Sequence, residues 1–265
     1  MTEPVVTGGA VVVGEGVAWN WLFRWPPGVV LAGLRYFLDP LPVYRVDEDE
    51  TVVLPELPEE GSSGLQVPEN GTGAVFHRNY RVRIRASPLR PEQLMDRLRS
   101  DPNEAVPLEV ALFDGVRDDG GLQAGDELTV RMPGPWDGPV RVLHVSATSF
   151  RLATLPGHPE AGQIEFRASG EDEELVFEIE SWACSGDRLA NLLYDGVTVF
   201  KQMQAYLWTH YCVQVCALSG GQLDDGVDVH TGRAPSPQKR TGAAGGRSRS
   251  GTIAASRPSV RSWRR

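Results

Sequence analysis

The residues best suited to chemistry lie in one short loop, Gly157-His158-Pro159-Glu160-Ala161-Gly162. A histidine beside a carboxylate has the two groups that acid–base catalysis needs, a near-neutral proton carrier and a partner to orient or charge it. Pro159 stands between the two, which works against direct pairing of their side chains. The same residues would also serve a ligand by hydrogen bonding, or tie a glycine-bounded loop to its neighbours. His158 and Glu160 are therefore the weak catalytic candidates and, first of all, candidate contacts.

Other chemistries find less support. The five histidines (His77, His144, His158, His210, His230) are scattered, without the paired spacing of a zinc site. Cys212 and Cys216 stand one helical turn apart, but His210 is rotated off their face, and buried cysteines at this spacing pack as small apolar residues far more often than they bind metal. No metal site is expected. There is no GxSxG nucleophile elbow, GxGxxG fingerprint or phosphate-binding P-loop, so no cofactor is expected. Ser185-Gly186 and Ser219-Gly220-Gly221 read as the start and end of a helix.

Composition narrows the setting. The chain has 265 residues, 41% of them hydrophobic, enough for a substantial core. The net charge of −9 hides an asymmetry. Residues 231–265 hold nine Lys or Arg and no acid, which leaves 17 basic and 35 acidic side chains on the rest, a balance of −18. An acidic body argues against nucleic-acid binding by the folded part. The most apolar stretch, Val17 to Leu38, is interrupted by Arg24, Pro26, Pro27 and Arg35, short of the roughly 18 uninterrupted apolar residues of a membrane span. Three cysteines are too few for a disulfide framework, and no basic-then-apolar leader opens the sequence, so a reducing cytoplasm is the expected location. Nothing in the sequence indicates an oligomeric state.

The elements that must position the loop fall into three regions. Residues 1–74 are an aromatic and apolar lead-in followed by an acidic Pro/Gly linker, Leu54 to Gly73, expected to be solvated. Residues 75–220 carry strand and helix patterns. Alternating apolar positions predict a strand from Val75 to Ala86, and helical spacing of Leu94, Met95 and Leu98 predicts a helix from Arg90 to Arg99. Six short strands follow, Leu108–Phe113, Glu127–Met132, Val140–Ser146, Ser149–Leu155, Ile164–Ala168 and Leu175–Trp182, each bounded by turn residues. From Asp187 to Leu218 a single long amphipathic pattern predicts a helix of about 30 residues, roughly 45 Å. Residues 221–265 read as a disordered basic Arg/Ser/Gly tail.

Short links between successive strands require an antiparallel meander, and a twisted meander curls. The expected fold is thus α+β: a curved antiparallel sheet of about seven strands around a long C-terminal helix, with a pocket where the two do not close.

The run from Thr154 to Phe166, with Phe177-Glu178-Ile179-Glu180-Ser181-Trp182 and the helix bearing Gln204 and Trp208, resembles the DUF1990 family over about residues 74–220. That family is similar in fold to the START/Bet v 1-like helix-grip proteins, whose members mostly bind lipids, sterols, polyketides or other apolar molecules, and some of which are cyclases or hydrolases. The resemblance implies a pocket for an apolar small molecule or lipid but supplies no reaction.

On this reading the ligand-binding residues are His158, Glu160, Trp182, Phe200, Gln204 and Trp208, with Trp136 a further pocket candidate. Two alternatives stand beside binding: a small-molecule cyclase, dehydratase or hydrolase using His158 and Glu160, and a protein- or membrane-interaction module using the lead-in tryptophans.

Overall fold

The computed structural model describes residues 43–48, 53–107, 111–117, 119–132, 137–171, 174–186 and 198–234, with side chains left undescribed at 47, 48 and 198–203. Within them lies an α+β fold with a large, curved, mostly antiparallel sheet. In chain order the strands are β1 (Val43–Glu48), β2 (Thr72–Arg85), β3 (Leu112–Asp114), β4 (Glu127–Arg131), β5 (Asp137–Val145), β6 (Ser149–Thr154), β7 (Glu160–Glu171), β8 (Glu174–Ser185), β9 (Gln222–Leu223) and β10 (Val227–Ala234). The longer helices are α1 (Pro91–Ser100) and α2 (Thr198–Ser219).

The spatial order is β1-β10-β2-β8-β7-β6-β5-β4-β3, with β9 paired to one end of β2. From β3 to β8 this is the antiparallel meander that the short links require. One turn shows how local chemistry sets it: the Ser146 hydroxyl accepts from the amides of Thr148 and Ser149 at 3.2 and 2.9 Å, closing the β5–β6 hairpin. β2 then lies antiparallel against β8, with Tyr80 opposite Ile179 and Val82 opposite Phe177.

Strand periodicity sorts the side chains onto two faces. Tyr80, Val82, Ile84, Phe166, Ala168, Phe177 and Ile179 face α2 and form the main core with its Tyr206, Leu207, Tyr211 and Cys212. Tyr211 sits among rings, with its centroid 5.5 Å from Phe166 and 6.1 Å from Phe177. Cys212 and Cys216 are free and buried within this packing. The opposite face of β2, β7 and β8 is charged. Arg167 bonds Glu178 at 2.8 Å and Glu180 at 2.7 Å, and Arg81 reaches Glu178 at 3.2 Å. Burial pushes both glutamates up, but Arg167 aided by Arg81 at Glu178, and His77 aided by Arg167 at Glu180, outweigh it and hold them below the usual carboxylate range.

Six of the seven expected strands coincide with strands of the sheet. The seventh, Leu108–Phe113, meets β3 only at Leu112 and Phe113, with 108–110 outside the described residues, and three more strands come from outside the expected core. β10 pairs antiparallel with β2 and parallel with β1. The basic tail therefore does not begin at 221: residues 222–234 include two strands, and Val227 and Val229 are buried. Two alternating valines are too brief a pattern to separate strand from coil, and the ladder of β2 supplies the rest. The chain also continues past α2, so that helix is not the last element. It spans 22 residues; the expected first third, from 187 to 197, lies outside the described residues.

The linker is not fully solvated either. Leu65 packs with Leu143, Ala153 and Leu155 in a small cluster of its own, which the surrounding Pro, Glu and Gly residues mask at the level of composition. Among the described residues no helix is long and apolar enough to cross a membrane.

Candidate functional site

The loop between β6 and β7 is held from three sides. Gly157 turns it at φ +101°, a left-handed conformation that side-chain-bearing residues rarely adopt. The His158 amide donates to the Leu155 carbonyl at 3.1 Å, and the Leu155 amide to Pro139 at 2.9 Å. The third hold is remote in sequence. Gln66 donates its side-chain amide to the carbonyls of His158 at 2.7 Å and Glu160 at 2.8 Å. Gln66 is in turn fixed by Thr154, whose hydroxyl bonds its carbonyl at 2.8 Å and whose own carbonyl takes its amide at 2.8 Å.

This scaffold fixes the His158 ring. Nδ1 accepts from the backbone amide of Glu160 at 2.9 Å. The ring edge lies over Gly138, where a Cβ would stand 2.9 Å from Nε2 and Cδ2, so position 138 must stay without a side chain for the ring to keep its place. Burial pushes the imidazole down to about 4, only partly offset by the Glu160 carbonyl 3.1 Å from Nδ1, and the ring is neutral near pH 7.

The Glu160 carboxylate turns elsewhere. Its Oε2 accepts from Nε2 of Gln204 on α2 at 3.0 Å, while Oε1 of Gln204 accepts from Arg78 on β2 at 2.9 Å. The neighbouring Tyr80 phenol is pushed up to about 12, by burial first, with Arg78 opposing and Glu160 adding to the rise. His158 and Glu160 are thus adjacent in space, but no hydrogen bond joins ring to carboxylate, in keeping with the intervening Pro159.

Between α2 and the sheet lies a cavity of about 80 Å³. Its walls include Phe113, Val130, Leu152, Phe166, Leu207 and Trp208, and its polar contributors include His158, Glu160 and Gln204. Four of the expected ligand contacts, His158, Glu160, Gln204 and Trp208, are therefore brought together from a loop, a strand and a helix. Trp208 is buried edge-on to Phe166, with ring centroids 5.6 Å apart.

Trp182 is not among them. It lies on the opposite face of β8, stacked on His77 at 5.3 Å and 7°, whereas its neighbours Ser181 and Ala183 line the cavity. The Phe200 side chain and Trp136 fall outside the described residues, as do the lead-in tryptophans. Among the described residues no group of three or more His, Cys, Asp or Glu could hold a metal ion.

Gln66, Arg78 and Gly138 went unremarked in the sequence. The signal available for Gln66 was its place between Leu65 and Val67, an apolar pair inside a Pro/Gly/Ser stretch.

Residues 108–213 match the family model described as "Domain of unknown function (DUF1990)", which bears out the resemblance carried by the loop. No curated protein matches the sequence. Among solved structures, the chain is similar to norcoclaurine synthase from Thalictrum flavum, with 11% identity, 64% of this chain and 97% of that one covered, and a TM-score of 0.40. It is similar to a conserved protein from Geobacillus kaustophilus, with 12% identity, 56% and 98% covered, and a TM-score of 0.38. It is also similar to the di-domain ARO/CYC protein StfQ of the steffimycin biosynthetic pathway, with 10% identity and a TM-score of 0.40. That match covers 56% of this chain and spans only 51% of the other.

Proposed function

We propose that the chain binds a compact, largely apolar small molecule in the cavity between the sheet and α2. The observation that carries this reading is the cavity's make-up: walls of Phe113, Val130, Leu152, Phe166 and Leu207 around the polar residues His158, Glu160 and Gln204. Apolar walls supply affinity by removing ligand surface from water, and a few placed polar groups supply orientation. Size narrows the class. A cavity needs about 10–15 Å³ for each water it holds, so this one has room for on the order of six waters. That suits a single- or double-ring molecule better than a long-chain lipid.

Binding is favoured over acid–base catalysis because the two candidate groups share no proton. The His158 ring is committed to the backbone through Nδ1, and the Glu160 carboxylate to Gln204.

The test is a titration of the protein with toluene, followed by tryptophan emission, on the wild type and on Ala183→Leu, which adds bulk to the cavity wall. Saturable binding to the wild type and at least a tenfold loss in the variant is expected. Equal binding by both, with the variant's circular dichroism unchanged, would place toluene elsewhere and sink the proposal.

A further inference from the structure

We propose that the Nε2–H of His158 is the cavity's selecting hydrogen-bond donor, and that it takes the carbonyl oxygen of an uncharged ligand such as an aryl ketone, aldehyde or ester. This rests on the cavity being a binding site.

The tautomer comes from the geometry. The Glu160 amide points its hydrogen at Nδ1 over 2.9 Å, so Nδ1 offers its lone pair and the neutral ring carries its proton on Nε2. The Glu160 carbonyl also lies 3.1 Å from Nδ1, but it already accepts from Gln66 at 2.8 Å, and a proton on Nδ1 would collide with the amide hydrogen.

The position follows from Gly138. Nε2 and Cδ2 fill the space where a side chain at 138 would stand; Gly138 is paired with Val130 and stands two residues before Val140, so that space lies on the strand face whose Val130 and Val140 line the cavity. All the hydrogen bonds of the ring run through Nδ1, and Nε2 has no partner among the described residues. A donor held this way is left unsatisfied by a hydrocarbon and satisfied by a carbonyl oxygen, so the site discriminates between ligands of equal shape.

The charge follows from Glu160. An anionic ligand at His158 would leave water to sit beside a carboxylate fixed on the same wall, and a neutral imidazole gives it no compensating charge.

Acetophenone, ethylbenzene and benzoate form a matched set of nearly one shape. Each is titrated into the full chain, with affinity read from tryptophan emission and the bound ketone read from its C=O stretching frequency. In the wild type, acetophenone binds about three- to tenfold tighter than ethylbenzene, its C=O stretch falls below the value in a hydrocarbon solvent, and benzoate binds most weakly. In His158→Asn the amide oxygen still meets the Glu160 N–H while the amide nitrogen stands at the Cδ2 position, one bond short of Nε2, and the preference falls towards one. In His158→Gln the amide nitrogen reaches toward the position of Nε2 and restores part of it. Equal affinities for ketone and hydrocarbon in the wild type, an unshifted C=O stretch, a preference undiminished in His158→Asn, or benzoate as the tightest ligand would each overturn the donor role and leave the cavity reading standing. No saturable binding of any of the three to the wild type would overturn both.

Discussion

Gln204 and Glu160 lie 44 positions apart and meet at 3.0 Å, amide nitrogen to carboxylate oxygen. The other end of the same amide accepts from Arg78 at 2.9 Å, so one side chain on α2 is bonded to β7 and to β2 together. A polar residue on the inner face of a core-packed helix costs free energy unless partnered, and here both ends of the amide are satisfied. The bridge fixes the helix to the sheet beside the cavity.

Gln204→Leu removes both bonds and is expected to lower the unfolding free energy by about 1–3 kcal/mol, since each lost partner was charged. Urea denaturation measures it. A gain in stability would mean that the inner face prefers to be wholly apolar and that the bridge orients nothing.

The boundary of the folded region has an equally direct check. Val227 is fully buried, while His230, three residues on in the same strand, is exposed. Val227→Asp buries a charge without a partner and should cost roughly 3 kcal/mol or more, whereas His230→Asp should change little. Thermal melts of the two variants decide it. Equal and small effects would return this segment to the tail.

Stability should also report the state of His158. Its pKa is about 4 in the folded chain and about 6.5 when unfolded. Between those values the unfolded state binds a proton that the folded state refuses, so stability falls as pH drops from about 6.5 towards about 4 and is unaffected above that window. The loss is at most about 3.5 kcal/mol, because each tenfold difference in proton affinity between the two states is worth about 1.4 kcal/mol. His158→Gln lacks this titration, so its unfolding free energy, measured against pH, should decline less steeply through the window. Parallel profiles for the variant and the wild type would show that the ring titrates as it does in water.

The strands of the meander were legible because apolar alternation and turn residues recur along residues 75–182, and the loop was legible because glycines bracket a His and a Glu. What lies on which face was not. On β8, Val176, Phe177, Ile179, Trp182 and Ala183 are all buried, so apolar character marks both faces and cannot tell the cavity side from its reverse. Pattern alone puts Trp182 on the wrong face for that reason. Gly138 was hidden differently: its need for a bare Cα arises from a ring twenty positions later, and no local pattern encodes such a meeting.

The place of β2 in the sheet bears on how the protein is made. Its two neighbours, β8 and β10, are the last long strands to be synthesised. Tyr80, Val82 and Ile84 leave the ribosome long before Ile179 arrives to cover one side, and Val229 follows only after α2 is complete. Pairings this distant in sequence form slowly, and until they form an apolar strand with two open edges is exposed to its nascent neighbours. Strand β2 is thus the segment on which a chaperone would act, and crowded polysomes would be the setting in which this chain most readily aggregates.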